Sequence, residues 1–271
     1  MNILDEIIAH RRKMIAERKA LFPVALLEKS LYFETPVVSL KQYLERSDKT
    51  GIIAEFKRRS PSKGNINPYA SVEQVSIGYM QAGASALSVL TEEQYFGGRN
   101  EDLTLARKFN FCPILRKDFI IDEYQLIEAK SIGADAILLI AECLDKVTLR
   151  QLARTAKSLG MEVLMEVHSA EQLDKWSDDI ALVGVNNRNL KDFSVSIETS
   201  LSMINALPKE VVPISESGLS EASAVVQLRQ AGYRGFLIGE HFMKTANPPK
   251  TCAAFIQEIR RLSGAIELKK A

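Results

Sequence analysis

Eight short apolar runs, separated by amphipathic segments, fill the chain from Gly51 onward. In order they read GIIAEF, ALSVLT, CPILRK, DAILLIA, EVLMEV, IALVGV, VVPIS and GFLIG. Runs of this length, each followed by a plausible helix, predict parallel strands joined by helical crossovers. Several of the helical segments, such as SVEQVSIGYMQAG and KVTLRQLARTAKSLG, end in glycine, which suits a helix C-cap.

The number and order of the runs favour a closed barrel over an open sheet. Eight strand–helix units over roughly 220 residues fit an α/β fold of the (β/α)8 TIM barrel type. An open doubly wound sheet usually carries a glycine-rich phosphate loop after its first strand, but here the first run leads into KRRSPSKGNINP. We therefore predict one barrel domain over residues 49–271. Before it, apolar residues at helical spacing predict an N-terminal helical extension over residues 1–48.

Composition and charge exclude several classes of protein. A net charge of +1 provides no electrostatic footprint for nucleic acid or an anionic membrane. The three cysteines are isolated and lack a CxxC pair, which indicates a reducing compartment, and the three histidines lack a metal-ligand spacing. The N-terminus has acids among its apolar positions, unlike a signal peptide or a membrane span. We expect a cytoplasmic protein that binds no nucleic acid, membrane or metal.

Charged and amide side chains lie at the ends of five of the runs. In a barrel, alternate side chains of each strand point inward, and the active site forms at the carboxyl ends of the strands. If the relevant faces point inward, one rim collects Glu55, Lys57, Lys117, Glu166, Asn186, Arg188 and Glu216. Any one of them alone could be a solvated loop residue or part of a weak surface pair. Seven together predict a catalytic cup, because buried charges are costly unless they are paired or used.

The loops after the last two runs are candidates for phosphate binding. They contain SESG at residues 215–218 and IGE at residues 238–240. In many barrels these two loops offer backbone N–H groups and a helix N-terminus to a phosphate. Either segment alone could be an ordinary turn or cap. Their position nevertheless predicts a phosphate site at Gly218 and Gly239, to which Lys57 could add a counter-charge.

Seven segments together resemble the indole-3-glycerol phosphate synthase family: IIAEFKRRSPSKG, LSVLTEEQYFGG, ILRKDFIID, LMEVH, VGVNNRNL, ISESG and FLIGEHFM. The resemblance covers nearly the whole chain, including the helical extension. It implies a carboxy-lyase of tryptophan biosynthesis that needs no cofactor and acts on a phosphorylated small molecule. The reaction converts 1-(2-carboxyphenylamino)-1-deoxyribulose 5-phosphate to indole-3-glycerol phosphate by ring closure, decarboxylation and dehydration. We expect a monomer or a weak homodimer.

The resemblance also implies roles for individual residues. Lys117 in LRKDF corresponds to the general acid that protonates the ketone oxygen, and Glu166 in MEVH to a catalytic carboxylate. Glu55 and Lys57 correspond to residues of the dehydration step, with Lys57 also close to the phosphate. The other implied site residues are Asn186, Arg188 and Glu216 among the polar active-site groups, Ser60 at the substrate, Pro61, Phe96, Phe119 and Leu190 in the apolar wall, and Ser217, Gly218, Gly239 and Glu240 at the phosphate.

These roles carry three chemical expectations. We expect burial or a neighbouring cation to lower the pKa of Lys117, because an ammonium group donates its proton well near neutral pH only when its pKa is lowered. Carboxylates can stabilise the iminium charge and remove the proton that restores aromaticity; we assign Glu166 to the ring and Glu55 to the departing hydroxyl. Glu240 stands where the family often has serine, so we expect only its backbone N–H to face the phosphate.

Two other classes of function stay open at this stage. Another phosphate-binding barrel enzyme, either a sugar-phosphate isomerase or an aldolase, could use Lys117 as a Schiff-base nucleophile. A non-catalytic barrel could instead serve as a binding or scaffold subunit. Such a subunit need not retain a complete set of ionisable strand ends, whereas this chain has one.

Overall fold

A computed structural model describes residues 3–189 and 193–270, with side chains through residue 265. Eight parallel strands form a closed barrel: β1 (Ile52–Phe56), β4 (Ala86–Leu90), β5 (Ile114–Lys117), β6 (Ala136–Ile140), β7 (Glu162–Val167), β8 (Leu182–Asn186), β9 (Val212–Glu216) and β10 (Gly235–Ile238). Their order around the barrel is β1-β10-β9-β8-β7-β6-β5-β4. The predicted (β/α)8 barrel is therefore confirmed. A small hairpin of β2 (Arg59–Ser60) and β3 (Gly64–Asn65) follows β1.

Helices precede the barrel and connect its strands. Three of them come before β1: α1 (Ile3–Leu21), α2 (Val24–Leu27) and α3 (Leu40–Glu45). The others are α4 (Val72–Gln81), α5 (Asn100–Phe109), α6 (Glu123–Ser131), α7 (Lys146–Ser158), α8 (Glu198–Met203), α9 (Ala222–Ala231), α10 (Glu240–Met243) and α11 (Pro248–Lys270). In the described part of the chain, no helix combines the length and apolar character needed to cross a bilayer. The division into two units at residue 48 stays a prediction.

The connection between β7 and β8 differs from the prediction that a helix follows every strand. Ala170–Lys175 forms a 3-10 helix there instead of an α-helix. The 3-10 form is used in short pieces and needs fewer residues for each turn than a full α-helix requires. Trp176 directly follows it and packs against the core, with its indole N–H donating to the Ile180 carbonyl at 3.2 Å. A short, mostly polar segment thus forms the connection between β7 and β8.

Alternation along the strands divides the core into two layers. Ile53, Leu115 and Leu164 belong to a cluster inside the barrel, whereas their neighbours pack outward between strands and helices. Helix α3 adds Leu40 and Leu44 to the interior cluster. The apolar interior is therefore closed from below, and only its opposite end can open to substrate.

The lower closure is fixed by one carboxylate. Ser39 caps α3 and donates to Glu162 at 2.6 Å, and the Lys41 N–H donates to the same carboxylate at 2.9 Å. Glu162 is the first residue of β7. A negative charge at a helix N-terminus is favourable because the unpaired N–H groups there carry partial positive charge. Helix α3 therefore lies at the end of the barrel where the strands begin.

A buried ion network ties helix α1 to strand β5. Arg11 of α1 contacts Asp118 at 2.8 Å, and Arg18 pairs with Glu128 of α6. Arg116 of β5 lies between them, 2.6 Å from Glu128 and 3.2 Å from Asp118. Burial would raise the pKa of Glu128, but Arg116 and Arg18 outweigh it and lower that pKa to about 2. The network flanks Lys117 in the chain, so it helps to fix the strand end that carries this residue.

Removing one buried cation tests the contribution of this network to stability. We expect Arg116→Met to lower the free energy of unfolding by about 3–5 kcal/mol, because Glu128 and Asp118 then lose a buried partner. Urea denaturation monitored by circular dichroism measures this change. Arg261→Met removes the exposed pair with Glu258 and should leave the unfolding midpoint unchanged. Equal effects of the two substitutions would contradict a special role for the buried network.

Candidate active site

The predicted polar rim lies at the carboxyl ends of the strands. Ile53, Leu115, Leu164 and Ile214 line the interior of the barrel. Because successive side chains alternate, the residue two positions beyond each of them also points inward. Those residues are Glu55, Lys117, Glu166 and Glu216. The structure therefore brings together four of the predicted catalytic groups above one apolar interior.

Lys117 is the centre of this rim. Its Nζ lies 3.1 Å from Glu166 Oε2 and 3.8 Å from Glu216 Oε2. The other oxygen of Glu166 accepts a hydrogen bond of 3.1 Å from the Asn186 amide. Glu166 and Glu216 are almost fully buried, and the Lys117 side chain is 16 % exposed. The ammonium group and both carboxylates can therefore contact the same small molecule.

The pKa of Lys117 shifts in the direction opposite to our expectation. Burial by itself would lower this pKa, but the negative charges of Glu166, Glu216 and Glu55 outweigh burial and raise it. The expectation overlooked these carboxylates, because it considered only burial and a neighbouring cation. Lys117 is thus fully protonated before substrate arrives. The proton that a general acid needs is present, and its release must depend on what binds beside it.

The two carboxylates next to Lys117 differ in their affinity for protons. Burial would raise the pKa of Glu166, but Lys117, His168 and the hydrogen bond from Asn186 together outweigh burial and lower it. Burial raises the pKa of Glu216, and the negative charge of Glu166 raises it further. Two neighbouring carboxyl groups with pKa values moved apart can serve as one base and one acid. Glu166 is therefore suited to accept a proton and Glu216 to hold one.

A second ion pair lies across the barrel. Lys57 Nζ is 2.9 Å from Glu55 Oε1, and the Ser88 hydroxyl donates to Glu55 Oε2 at 3.3 Å. Strand β1 stands four strands from β7 in either direction around the barrel, so Glu55 faces Glu166. A Cβ at position 239 would lie 2.4 Å from Glu55 Oε1, which explains why Gly239 is needed there. The site thus has acid–base groups on two opposite sides.

Two phenylalanines form an aromatic wall beside the rim. The ring centroids of Phe96 and Phe119 are 5.9 Å apart. Glu92 is fully buried and accepts hydrogen bonds from the N–H groups of Tyr95 at 2.7 Å and Phe96 at 3.0 Å. Asp118 likewise accepts from the Phe119 N–H at 2.8 Å. Two of the four predicted wall residues are therefore adjacent, and the backbone of each is held by a carboxylate.

The hairpin after β1 carries two further residues of the predicted site. Ser60 is buried, and its hydroxyl has no hydrogen-bond partner within the described ranges. Pro61 occupies the exposed turn between β2 and β3. Buried hydroxyl groups are normally paired, so an unpaired one can mark a position that binds a ligand. This geometry is consistent with the predicted role of Ser60 at the substrate.

The loop after β9 has an unusual backbone conformation. Ser217 has φ +68° and Gly218 has φ +73°. A positive φ is uncommon for a residue with a side chain, and such positions cluster at functional sites. Consecutive left-handed residues can present backbone N–H groups to an anion. The predicted phosphate loop therefore has a conformation suited to its role.

The described residues contain no candidate metal site, and a large surface groove lies away from the rim. Among residues 3–189 and 193–270, no group of three His, Cys, Asp or Glu side chains is placed to hold a metal ion. A surface groove of about 660 Å³ lies between α1 and the helices α6 and α7, and it shares no residue with the rim.

Comparisons with known proteins agree with this site. The sequence model of the indole-3-glycerol phosphate synthase family matches residues 4–255. The chain is 48 % identical over 259 residues to the indole-3-glycerol phosphate synthase of Bacteroides thetaiotaomicron, covering 96 % of this chain and 99 % of the relative. The synthase of Salinibacter ruber is 40 % identical over 267 residues, covering 97 % and 98 %. The chain belongs to the indole-3-glycerol phosphate synthase family.

A solved structure supports the fold independently of close relationship. The crystal structure of KGPDC from Streptococcus mutans matches with a TM-score of 0.59 at 12 % identity. It covers 78 % of this chain and 97 % of the matched chain. At such low identity the match concerns the barrel alone. The family assignment to indole-3-glycerol phosphate synthase rests on the sequence matches.

One position differs from the serine often found in the indole-3-glycerol phosphate synthase family. Glu240 extends its carboxylate toward two cations, Arg188 at 3.8 Å and Lys63 at 3.7 Å. Arg188 is also fixed by its backbone N–H, which donates to Asn186 Oδ1 at 3.0 Å. The carboxylate thus lies beside a cation of the rim and competes there with any other anion. That only the Glu240 N–H contacts phosphate stays a prediction.

Three residues at or behind the rim were missed by the sequence reasoning, and one predicted residue lies outside the described residues. Leu190, predicted for the apolar wall, is in the undescribed stretch 190–192. His168 was overlooked although it continues the inward alternation of Glu166; its Nε2 lies 3.6 Å from Glu166 Oε1. Glu92 and Asn187 act from outside the barrel interior, so an inward period-two pattern does not select them.

The raised pKa of Glu216 makes a testable contribution to stability. Its folded-state pKa is about 8 against an ordinary 4.5, so the folded state holds this proton more tightly than the unfolded state does. The resulting stability is complete below pH 4.5 and is lost as the pH rises to 8. Glu216→Gln keeps a neutral group at every pH. We therefore expect its free energy of unfolding, relative to wild type, to rise by roughly 2 kcal/mol or more over this interval.

Denaturant titrations at several pH values between 4.5 and 8 measure this difference. The exposed Glu45→Gln variant provides the control, because it should keep the pH dependence of the wild type. Parallel profiles for Glu216→Gln and wild type would show that Glu216 is already ionised in the folded protein at low pH.

Proposed function

We propose that this rim closes the indole ring of 1-(2-carboxyphenylamino)-1-deoxyribulose 5-phosphate, with loss of carbon dioxide and water. The observation that carries the proposal is the Lys117 ammonium group, 3.1 Å from Glu166 and 3.8 Å from Glu216 at the carboxyl end of the barrel. Membership of the indole-3-glycerol phosphate synthase family supplies the reaction. The side chains supply the proton transfers that each step requires.

Lys117 acts as the general acid in the first step. The ring carbon that bears the carboxylate attacks the ketone carbon, and the ketone oxygen takes a proton from Lys117 to become a hydroxyl group. The amine nitrogen of the substrate becomes a cationic iminium group, which Glu166 stabilises through its negative charge. Carbon dioxide then leaves from the same ring carbon, and its bonding electrons restore the benzene ring. The carboxylates that raise the pKa of Lys117 keep it protonated for this step.

Dehydration follows on the side of the site that carries Glu55 and Lys57. The new hydroxyl group leaves as water after gaining a proton from the Glu55–Lys57 pair, and Glu166 takes the proton that the neighbouring carbon loses, so that the five-membered ring closed in the first step becomes aromatic. We assign the departing hydroxyl to Glu55, which is paired with Lys57 at 2.9 Å. Glu166 faces this pair from the opposite strand and serves the ring. Separate acid–base groups on two sides suit a reaction with two proton transfers at different atoms.

Binding at both ends of the substrate brings the reacting atoms together. The loops with Ser217, Gly218 and Gly239, together with Lys57, hold the phosphate, while Phe96 and Phe119 contact the carboxyphenyl ring. A flexible sugar fixed at its two ends is folded so that the ring carbon approaches the ketone. Positioning of this kind can contribute several kcal/mol to the rate. Ser60 and Pro61 border the substrate from the β2–β3 hairpin, and Arg188 borders it from the loop after β8.

Direct assay tests the reaction. Incubation of the purified chain with the carboxyphenylamino substrate should produce the fluorescence of an indole, and mass spectrometry should show loss of carbon dioxide and water. If a folded protein binds the substrate without forming product, the alternative of a non-catalytic scaffold is correct.

Substitution of the general acid gives the most direct test of its role. We expect Lys117→Met to lower kcat by about 10²–10⁴-fold while the barrel remains folded, because proton donation to the ketone is lost. Rate measurements are combined with melting curves, and Lys13→Met replaces an exposed lysine as the control. A collapsed fold with a proportionate loss of activity would assign Lys117 to stability instead.

The aldolase alternative makes a different prediction for the same residue. A Schiff-base lysine must lose its proton to act as a nucleophile, whereas the neighbouring carboxylates raise the pKa of Lys117. Borohydride treatment in the presence of a ketose phosphate should therefore give no stable adduct. An adduct mapped to Lys117 by mass spectrometry would favour the aldolase.

The carboxylate of Glu240 offers a further test of phosphate binding. It pairs with Arg188 at 3.8 Å and Lys63 at 3.7 Å, so removing it frees positive charge at the rim. We expect Glu240→Ser to lower KM by about two- to fivefold with little change in kcat, since a partly exposed pair is worth less than about 1 kcal/mol. Steady-state kinetics measure this, with the exposed Glu210→Ser as control. A higher KM would mean that Glu240 supports the binding of substrate.

The cellular setting and assembly belong to the same proposal. Action in the cytoplasm is supported by Cys112, Cys143 and Cys252, which are all free thiols, because reduced cysteines are typical of that compartment. We propose a monomer or a weak homodimer and a reaction that needs no cofactor. Sedimentation velocity and activity after treatment with a chelator test these two statements.

A further inference from the structure

We infer that Asn187 is a positioning residue for the phosphate loop: its buried side chain holds Ser217 in the left-handed conformation that orients this loop. The inference rests on the proposed function, because it assigns a purpose to the loop after β9. Neither the sequence pattern nor the family match assigns a role to Asn187. It follows Asn186 directly, yet the two amide side chains serve opposite sides of the barrel wall.

Asn187 is buried behind the rim, with every polar atom of its side chain engaged. Its Nδ2 donates to Ser215 Oγ at 3.0 Å and to the Ser217 carbonyl at 3.1 Å. Its Oδ1 accepts from the Ser200 N–H at 3.1 Å and from the Ser200 hydroxyl at 2.8 Å. The orientation of the amide is unambiguous, because a carbonyl can only accept and an N–H can only donate. No freedom remains for this side chain to turn.

The backbone of Asn187 is fixed as well. Its N–H donates to the Glu216 carbonyl at 2.9 Å, and its carbonyl accepts from the Ser196 N–H at 3.1 Å. The Ser200 carbonyl accepts from the buried Tyr233 hydroxyl at 2.8 Å, which anchors the network to the residues before β10. Asn187 therefore joins β8, β9 and α8 at one rigid point. Through its hydrogen bond to Asn187, Ser217 is therefore attached to the rigid wall of the barrel.

Ser217 needs such support because of its backbone. At φ +68° it occupies the left-handed region, which is unfavourable for a residue with a Cβ. Strain of this kind persists only where the surrounding structure enforces it. The bond from Asn187 to the Ser217 carbonyl fixes the peptide plane between Ser217 and Gly218, and this plane carries the Gly218 N–H. Loss of the bond would let Ser217 relax to a negative φ and turn that N–H away.

Val195 also lies against Gly218. A Cβ at Gly218 would lie 2.2 Å from Val195 Cγ1, and Val195 forms a bridge with Arg188. Asn187 thus fixes the phosphate loop from one side, and Val195 packs against it from another. If Asn187 only satisfied polar groups in the core, a hydrogen bond to the strained residue Ser217 would not be expected.

The experiment compares Asn187→Ala with Ser200→Ala in the full chain. Both substitutions weaken the same buried network, but only the first removes the bond to Ser217. Isothermal titration with inorganic phosphate gives a Kd that does not depend on catalysis, and kinetics with the proposed substrate give KM and kcat. We expect Asn187→Ala to raise the Kd for phosphate and the KM together by about tenfold, with kcat changed less than threefold. Ser200→Ala should lower the melting temperature and leave both constants unchanged.

Asn187→Ser is measured in parallel in case Asn187→Ala folds poorly. Serine keeps a hydroxyl for the buried network but is too short to reach the Ser217 carbonyl, so it should weaken phosphate binding in the same way. Adding Ser217→Gly to either variant should recover at least part of the affinity, since glycine adopts a positive φ without support. Because Ser217→Gly also relieves backbone strain, melting temperatures of the single and double variants are measured alongside: recovery of affinity that merely follows the melting temperature would overturn the inference.

The outcomes separate the inference from the proposed function. Wild-type protein that binds phosphate but forms no indole would overturn the proposed reaction and leave the role of Asn187 readable in the phosphate Kd. Wild-type protein that is active, with the Kd unchanged in both Asn187 variants, would overturn the inference alone. Equal loss of phosphate binding in Ser200→Ala would also overturn it, because the effect would then come from the network as a whole.

Discussion

The contact between Lys117 and the carboxylates of Glu166 and Glu216 is the interaction on which the rest of the site depends. Burying an ammonium group and a carboxylate costs several kcal/mol for each ion, so Lys117 and Glu166 must stay paired, and Glu216 responds to the same burial by holding its proton. The closed barrel makes this arrangement possible because it points one residue of every strand end toward a common axis. An open sheet with the same strand ends would spread these groups along an edge.

Two glycines in the barrel wall leave space for the carboxylates of the rim. Gly184 and Gly239 stand where a Cβ would collide with the carboxylates of Glu216 and Glu55. Behind the wall, a second set of polar residues fixes the elements that carry the first. Asp118 and Glu92 hold the backbones of the aromatic wall. The chemistry therefore relies on two concentric layers: an inner layer that meets the substrate and an outer layer that holds the inner one in place.

The residues of the inner layer could be predicted from the sequence, because alternate residues of a strand point to the same side of the sheet. The strand-end residues Glu55, Lys117, Glu166 and Glu216 were predicted from their spacing, and the structure places them together. The same rule should have selected His168, which continues the alternation of Glu166. The outer layer follows a different geometry. Asn187 points away from the axis, and its purpose becomes visible only through the carbonyl that it contacts.

The direction of the Lys117 pKa could not be obtained from sequence for a related reason. Burial and like charges lower the pKa of an ammonium group, whereas opposite charges raise it, and the balance depends on distances that a sequence does not contain. Three carboxylates within the field of one lysine reverse the expected sign. In the proposed mechanism the substrate then controls proton release: a cationic intermediate that attracts Glu166 weakens the hold of Glu166 on the Lys117 proton. On this proposal the free site keeps Lys117 protonated, and the positive charge that develops on the substrate is the physical reason for the transfer.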